Sequence, residues 1–204
     1  MGKVKLKKQD VWIDMTPMSD VMVLLLCFFM LTSTFTKPEP VKVVTPSSVS
    51  EIKVPEKDVL NILVDKEGKV FMSMDNQIHL EALIADVAGQ YGMALTQQQV
   101  GAFKSDPMFG TPMDKLENYL SIQEDTERSK VLKEFGIPTD SVNNDISEFQ
   151  VWVKAARGAN PDMKVALKAD SETPYKIIKK IMSELQDINE NRYYLITSLK
   201  TSED

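Results

Sequence analysis

The stretch Val11–Phe35, VWIDMTPMSDVMVLLLCFFMLTSTF, constrains this chain more than any other, because it is apolar over the length of a membrane span and yet holds a carboxylate, Asp20. As a helix it would rise about 37 Å at ~1.5 Å per residue, enough to cross a hydrocarbon core of ~30 Å with some tilt. Its midpoint is Val23, which puts Asp20 about 4.5 Å along the axis from the bilayer centre. An aspartate at that depth costs roughly 2.5–3.5 kcal/mol on insertion scales. The eight Val, Leu and Phe residues of Val21–Leu31 return only roughly 0.3–0.6 kcal/mol each. The two sums nearly cancel, so the segment alone is a marginal span.

An ionisable side chain inside a span points to a proton or ion site that faces protein or water rather than lipid. On helical spacing Asp20 shares a face with Ile13, Thr16, Pro17, Leu24, Cys27 and Leu31. Pro17 has no amide hydrogen, which frees the carbonyl of Ile13, and Thr16 adds a hydroxyl one turn below the carboxylate. The expectation is a short polar strip, the Ile13 carbonyl, Thr16 and Asp20, on a greasy helix. A competing reading confines the span to Val21–Thr36 and leaves Asp20 among headgroups. That reading gives Val11, Trp12 and Ile13 no membrane to occupy, whereas Trp12 suits an interfacial anchor.

The pattern Asp14-x-Thr16-Pro17-x-x-Asp20-Val21-Met22 followed by an apolar run resembles the signature of the ExbD/TolR family. These are single-span subunits of proton-driven energy-transducing complexes in Gram-negative inner membranes. The resemblance implies that Asp20 carries the proton and that Thr16, Pro17 and Asp14 form its supporting polar face.

Charge is divided along the chain. Lys3, Lys5, Lys7 and Lys8 precede the apolar run, and such lysines hold an N-terminus in the cytoplasm and send the C-terminal domain across the membrane. From residue 37 onward, 20 basic residues face 27 acidic ones, which leaves no electrostatic footprint for nucleic acid. A lysine-rich start before an apolar run is also the pattern of a cleaved secretory signal. Two aspartates and a proline ahead of the run, and no Ala-x-Ala-type site near Thr32–Lys37, favour an uncleaved anchor.

Cys27 is the only cysteine, so no disulfide closes within the chain, and it reads as a small packing residue. His79 is the only histidine, which removes His-clustered metal sites and leaves any Ser-His-Asp triad resting on one residue. There is no Gly-rich phosphate loop, HExxH or nucleophile elbow. Paired carboxylates such as Glu124-Asp125 read as solvated faces. No enzyme is expected, and no cofactor beyond the proton motive force.

Taken in order, the chain reads as a cytoplasmic tail (1–10), the transmembrane helix (11–36), an extended linker (37–57) and a periplasmic domain (58–204). The linker holds Pro38, Pro40, Pro46 and Pro55, with Val41-Lys42-Val43-Val44 as a lone strand. Strands are expected at Val59–Val64 and Lys69–Met74 about the turn Asp65–Gly68. A helix over His79–Tyr91 has Leu80, Leu83, Ile84 and Val87 as its apolar face and closes at Gly89 and Gly92. Later come an amphipathic helix at Ser147–Arg157, a strand at Met163–Ala169 and a helix at Tyr175–Asp187. Thr173 is read as that helix's N-cap with Pro174 in first position, and Arg192–Leu199 as the last strand. The fold class is α/β (α+β), a mixed sheet with packed helices after a single N-terminal transmembrane helix. Residues 94–146 form an insertion with helices near Gln97–Lys104, Pro112–Ile122 and Glu124–Phe135, the second capped by Thr111-Pro112.

The segments NILVDKEGKVFM and VALKADSETPYKIIKKIMSEL, with Ala169-Asp170 before Pro174-Tyr175, again resemble the periplasmic domain of the ExbD/TolR family. Asp170 itself reads as a turn or capping residue. The resemblance implies an ExbD-like homodimer within an ExbB-type multi-span pore in the inner membrane. A TonB-type protein would carry the work to outer-membrane transport. A TolR-like envelope-constriction motor, a gliding or secretion motor, and a membrane-tethered periplasmic scaffold are the alternatives. It also implies that the post-membrane segment can add a strand to a dimer partner's sheet.

Overall fold

The computed structural model describes residues 14–33, 39–48, 57–140 and 146–199. The chain divides into two compact units, Met1–Thr36 and Lys37–Asp204.

The first unit contributes one helix, α1 (Thr16–Thr32), in which no residue is buried. Apolar side chains such as Val21, Met22, Val23 and Leu25 are exposed on all sides of it. The helix starts five residues later than the expected span, and its seventeen residues rise about 25 Å, short of a ~30 Å hydrocarbon core. No helix among the described residues is long and apolar enough to cross a membrane. Residues 11–13 and 34–36, which complete the expected span, lie outside the described residues.

The second unit is built on a four-stranded mixed sheet in the order β3-β2-β4-β5. β2 (Val59–Val64) and β3 (Val70–Met74) form an antiparallel hairpin. Its turn needs Gly68, at φ +83, where a Cβ would also come within 2.3 Å of Ile177. β4 (Lys164–Ala169) lies parallel to β2, and β5 (Tyr193–Ile196) parallel to β4. The register puts Leu60, Ile62 and Val64 level with Val165, Leu167 and Ala169 on one side and with Met74, Met72 and Val70 on the other. These residues are all apolar and buried, whereas Tyr193 and Leu195, which continue the face onto β5, are half-buried and exposed. Period-two alternation places Asn61, Ser73 and Lys168 on the opposite face, each only partly buried.

The helices follow their expected positions closely. α2 (Gln77–Tyr91) is capped by Asn76, buries Leu80, Leu83, Ile84 and Val87, and ends at Gly92 in the left-handed region. Gly89 is interior to α2 and does not close it. α3 (Gln97–Ser105) and α6 (Glu148–Ala159) each begin with a full capping box, from Thr96/Gln99 and Ser147/Gln150. Between them lie α4 (Met113–Ser121) and α5 (Asp125–Glu134), and α7 (Tyr175–Asp187) joins β4 to β5. Two expected caps are not made. Thr173 donates its hydroxyl to the Asp65 carbonyl instead, tying α7 to the β2–β3 turn. The Thr111 hydroxyl is buried without a partner, and the Met113 amide is taken by the Glu148 carboxylate.

Residues 94–146, expected from the sequence to be an insertion, share the domain's core. Phe103 and Phe109 pack on Trp152 of α6 with centroids 5.9 and 4.8 Å away. Phe109 exchanges two backbone hydrogen bonds with Met72 on the outer edge of β3, and Ile137 donates to Val70 there. Close passage over the strand requires Gly110, since a Cβ would meet the Phe71 ring at 2.3 Å.

The segment before β2 also packs into this unit. Val41 is buried in the core, and no strand forms over 41–44. A two-residue strand lies further on, β1 (Ser47–Ser48), parallel to β6 (Ser198–Leu199). The expected final strand is thus broken at Thr197 into β5 and β6.

Candidate functional site

At the start of α1, Asp14 and Thr16 are brought together. The Asp14 carboxylate accepts from the Thr16 backbone amide at 3.0 Å and from its hydroxyl at 2.6 Å. This closes the helix start from one residue outside the Met15 cap, which has no side-chain cap of its own. Pro17 falls in the first turn, where an amide hydrogen would have lacked an intrahelical partner anyway. The Thr16 hydroxyl therefore turns to Asp14 and not along the helix to Asp20. The Ile13 carbonyl of the expected strip lies outside the described residues.

Asp20 is one turn further on, exposed among apolar neighbours. Its side chain makes no hydrogen bond or ion pair with the described residues. The helix is thus apolar all round and carries one carboxylate that none of the described residues engages. Cys27 is exposed on the same helix.

The second motif is a structural clamp. Asp170 accepts from the backbone amides of Glu172 at 3.0 Å and Val44 at 2.9 Å, and these bonds hold its carboxyl below the usual range. Ser171 donates back to the Val44 carbonyl at 2.8 Å. Asp170 is therefore a turn residue, as expected, and also pins the segment between the first unit and β2. Its partner 126 positions upstream carries no sequence signal.

Two buried polar groupings were missed by sequence reasoning. The Ser147 hydroxyl donates to Glu184 on α7 at 2.6 Å, and Gln150 donates to the Glu184 carbonyl at 3.1 Å. Burial pushes the Glu184 carboxyl above its usual range. In the insertion, Arg128 is 4 % exposed and pairs with Asp106, 3.3 Å away, and with Asp125. Tyr119 donates to Asp106 at 3.0 Å, and burial pushes its phenol up. The signal was present: Arg128 stands three and four positions before Val131 and Leu132, on the apolar face of α5. Glu124-Asp125 is accordingly not a plain solvated face.

His79 lies in the first turn of α2, partly exposed and 3.8 Å from Asp58. No group of metal-ligating side chains gathers among the described residues. A family model described as biopolymer transport protein ExbD/TolR matches residues 7–200, nearly the whole chain. No curated protein and no solved structure gives a significant match.

Proposed function

The chain belongs to the ExbD/TolR family of biopolymer transport proteins, and from that premise we propose that Asp20 is the proton carrier of an inner-membrane motor that energises TonB-dependent transport. The family consists of non-enzymatic, membrane-anchored subunits that energise transport. The observation that carries the reading is Asp20 itself, a carboxylate without a partner among the described residues, on a helix that is apolar all round.

In this reading α1 and its flanking residues form one span, residues 11–36, with the N-terminus cytoplasmic and residues 37–204 periplasmic. A single helix cannot shield a carboxylate from lipid on every side, so the span sits as a homodimer inside an ExbB-type multi-span pore. There Asp20 takes a proton from one side and releases it to the other as the helix changes its surroundings. Asp14 and Thr16 hold each other at the membrane edge and fix where the helix begins. Pro17 in the first turn sets the approach of the chain without interrupting the helix below Asp20. The periplasmic unit relays the motion to a TonB-type partner.

The test is growth that depends on energised uptake, with membrane levels of each variant checked by blot. Asp20→Asn keeps the shape of the side chain and cannot exchange a proton at physiological pH, so uptake should fall to the background of a deletion. Asp20→Glu keeps the titrating group one methylene away and should retain part of it, and Asp14→Asn should be milder still. Near-normal uptake in Asp20→Asn at normal protein levels would sink the proton-carrier role and leave a membrane tether.

A further inference from the structure

Ahead of β2, residues 39–48 run over the compact unit without joining its four-stranded sheet. Among the described side chains of this stretch Val41 alone is buried, Val43 is half-buried, and Val44 is 71 % exposed. The stretch is fastened at Val44 and again at Ser47–Ser48. At Val44 both backbone groups are taken by the corner between β4 and α7. The Val44 amide donates to the Asp170 carboxylate at 2.9 Å, and its carbonyl accepts from the Ser171 amide at 2.8 Å. Further on, Ser47 and Ser48 pair in parallel with Ser198 and Leu199.

The second fastening is the unusual one. β5 runs beside β4 as far as Ile196, level with Lys168, and the chain then leaves the sheet at Thr197. Its next two residues pair with β1 in a sheet of their own and add no rung to the main one. Strands of two residues are far shorter than the usual five or six, and two strands alone are marginal in water. The main sheet is complete without them, since β2, β3, β4 and β5 pair through registers that include neither β1 nor β6. A weak pair outside the sheet belongs to the low-stability end of a structure, where one part opens while the rest stays folded. Pro46 lies between the two fastenings, and its fixed φ makes a stiff step of the link, so that slackening at one is felt at the other.

We propose that residues 39–48 form a strap that opens from the compact unit as one piece, and that β6 is the fastening that sets how often it does so. The inference is independent of Asp20 and of the proton. What the strap controls is slack. Fastened, it leaves eight residues from Ser33, at the end of α1, to Val41; open, it leaves twenty-five to Asp58. At no more than ~3.6 Å per residue, the longest chain path grows from about 29 Å to about 90 Å.

Neighbouring amides supply the test. The Asp170 amide donates to the Val64 carbonyl at 3.0 Å, within the sheet, whereas the Ser171 amide donates to the strap. Hydrogen exchange of the full chain in lipid nanodiscs is read residue by residue and corrected for intrinsic rates. In the wild type, Val44 and Ser171 should exchange at least a hundredfold faster than Leu167 in the middle of β4. Two variants unfasten β6: deletion of residues 198–204, and Ser198→Pro combined with Leu199→Pro, which removes both amide donors and keeps the rest of the chain. Each should speed exchange at Val44 and Ser171 at least tenfold and leave Asp170 and Leu167 unchanged; if one fails to fold, the other decides. Exchange at Val44 and Ser171 as slow as at Leu167 in the wild type would mean that the strap leaves only when the unit unfolds, and would overturn the proposal. So would a folded variant that exchanges at those two amides like the wild type, or one that speeds Leu167 by the same factor.

Discussion

α1 and the compact unit downstream of it solve the same problem in opposite ways. In the compact unit each acidic group drawn into the structure is met by a partner from the same chain: Asp170 by the amides of Glu172 and Val44, Glu184 by Ser147, Glu148 by the Met113 amide. Leu60, Ile62, Phe71 and Trp152 are buried there at 0–1 % exposure. In α1 no side chain is buried, and Asp20 is left to whatever surrounds the helix. The helix exposes its apolar side chains and its one carboxylate together, a pattern that suits lipid and other protein under the reading proposed above.

The largest expected effect that tests this division is Trp152→Ala. Removing the ring on which Phe103 and Phe109 pack should cost about 3–5 kcal/mol in the compact unit, read as a large drop in its thermal midpoint. Membrane recovery of the chain should be unchanged. Loss of membrane recovery at a temperature where the unit is still folded would mean that the two parts are not independent. Smaller, and sharper about the boundary, is a pair of soluble fragments, 37–204 and 58–204. The longer keeps Val41 in the core and Val44 on Asp170. Burial of one valine and two hydrogen bonds predicts that the shorter fragment is less stable by roughly 2–4 kcal/mol. Equal denaturant midpoints would show that residues 37–57 are a plain linker.

The smallest effects are in pH dependence, and they have opposite signs. The Asp170 carboxyl is held below its usual range. Its stabilisation is full above the ordinary aspartate value of ~3.9 and is lost as pH falls through the lowered one. Glu184 is pushed up by burial, so its folded form holds the proton more tightly. The unit therefore loses stability as pH rises from the ordinary glutamate value of ~4.3 through the raised one. Asp170→Asn should lower the melting temperature at pH 7 and converge on the wild type in acid. Glu184→Gln, whose amide oxygen still accepts from Ser147, should raise it by a few degrees at pH 7 and converge likewise. Parallel displacement of either variant at both pH values would remove titration as the cause.

What was legible in the sequence was local. The hairpin about Gly68, the apolar face of α2 and the capping boxes at Thr96 and Ser147 are each decided within a few residues, and the fold keeps them. What failed was decided at a distance. Thr173 and Thr111 precede prolines in the pattern of helix caps, yet one hydroxyl is claimed by Asp65, 108 positions away, and the other is displaced by Glu148. Val41-Lys42-Val43-Val44 has strand propensity, but the backbone of Val44 is taken by Asp170 and Ser171 in a single crossing and not in a ladder. At the candidate site, the aspartate, threonine and proline stood out because they are out of place in an apolar run. That Asp14 and not Asp20 engages Thr16 depends on where the helix begins, which propensity does not fix.

The passage of the insertion over β3 has a consequence for how such chains avoid one another. An edge strand with bare amides and carbonyls is a template for any other extended chain. Here Phe109 takes both outward backbone groups of Met72 and Ile137 the carbonyl of Val70, so that part of the edge is covered. A chain trimmed of residues 94–146 would keep its sheet and much of its core but acquire an adhesive margin, prone to edge-to-edge aggregation. Residues 94–146 thus cover part of that edge as well as sharing the core.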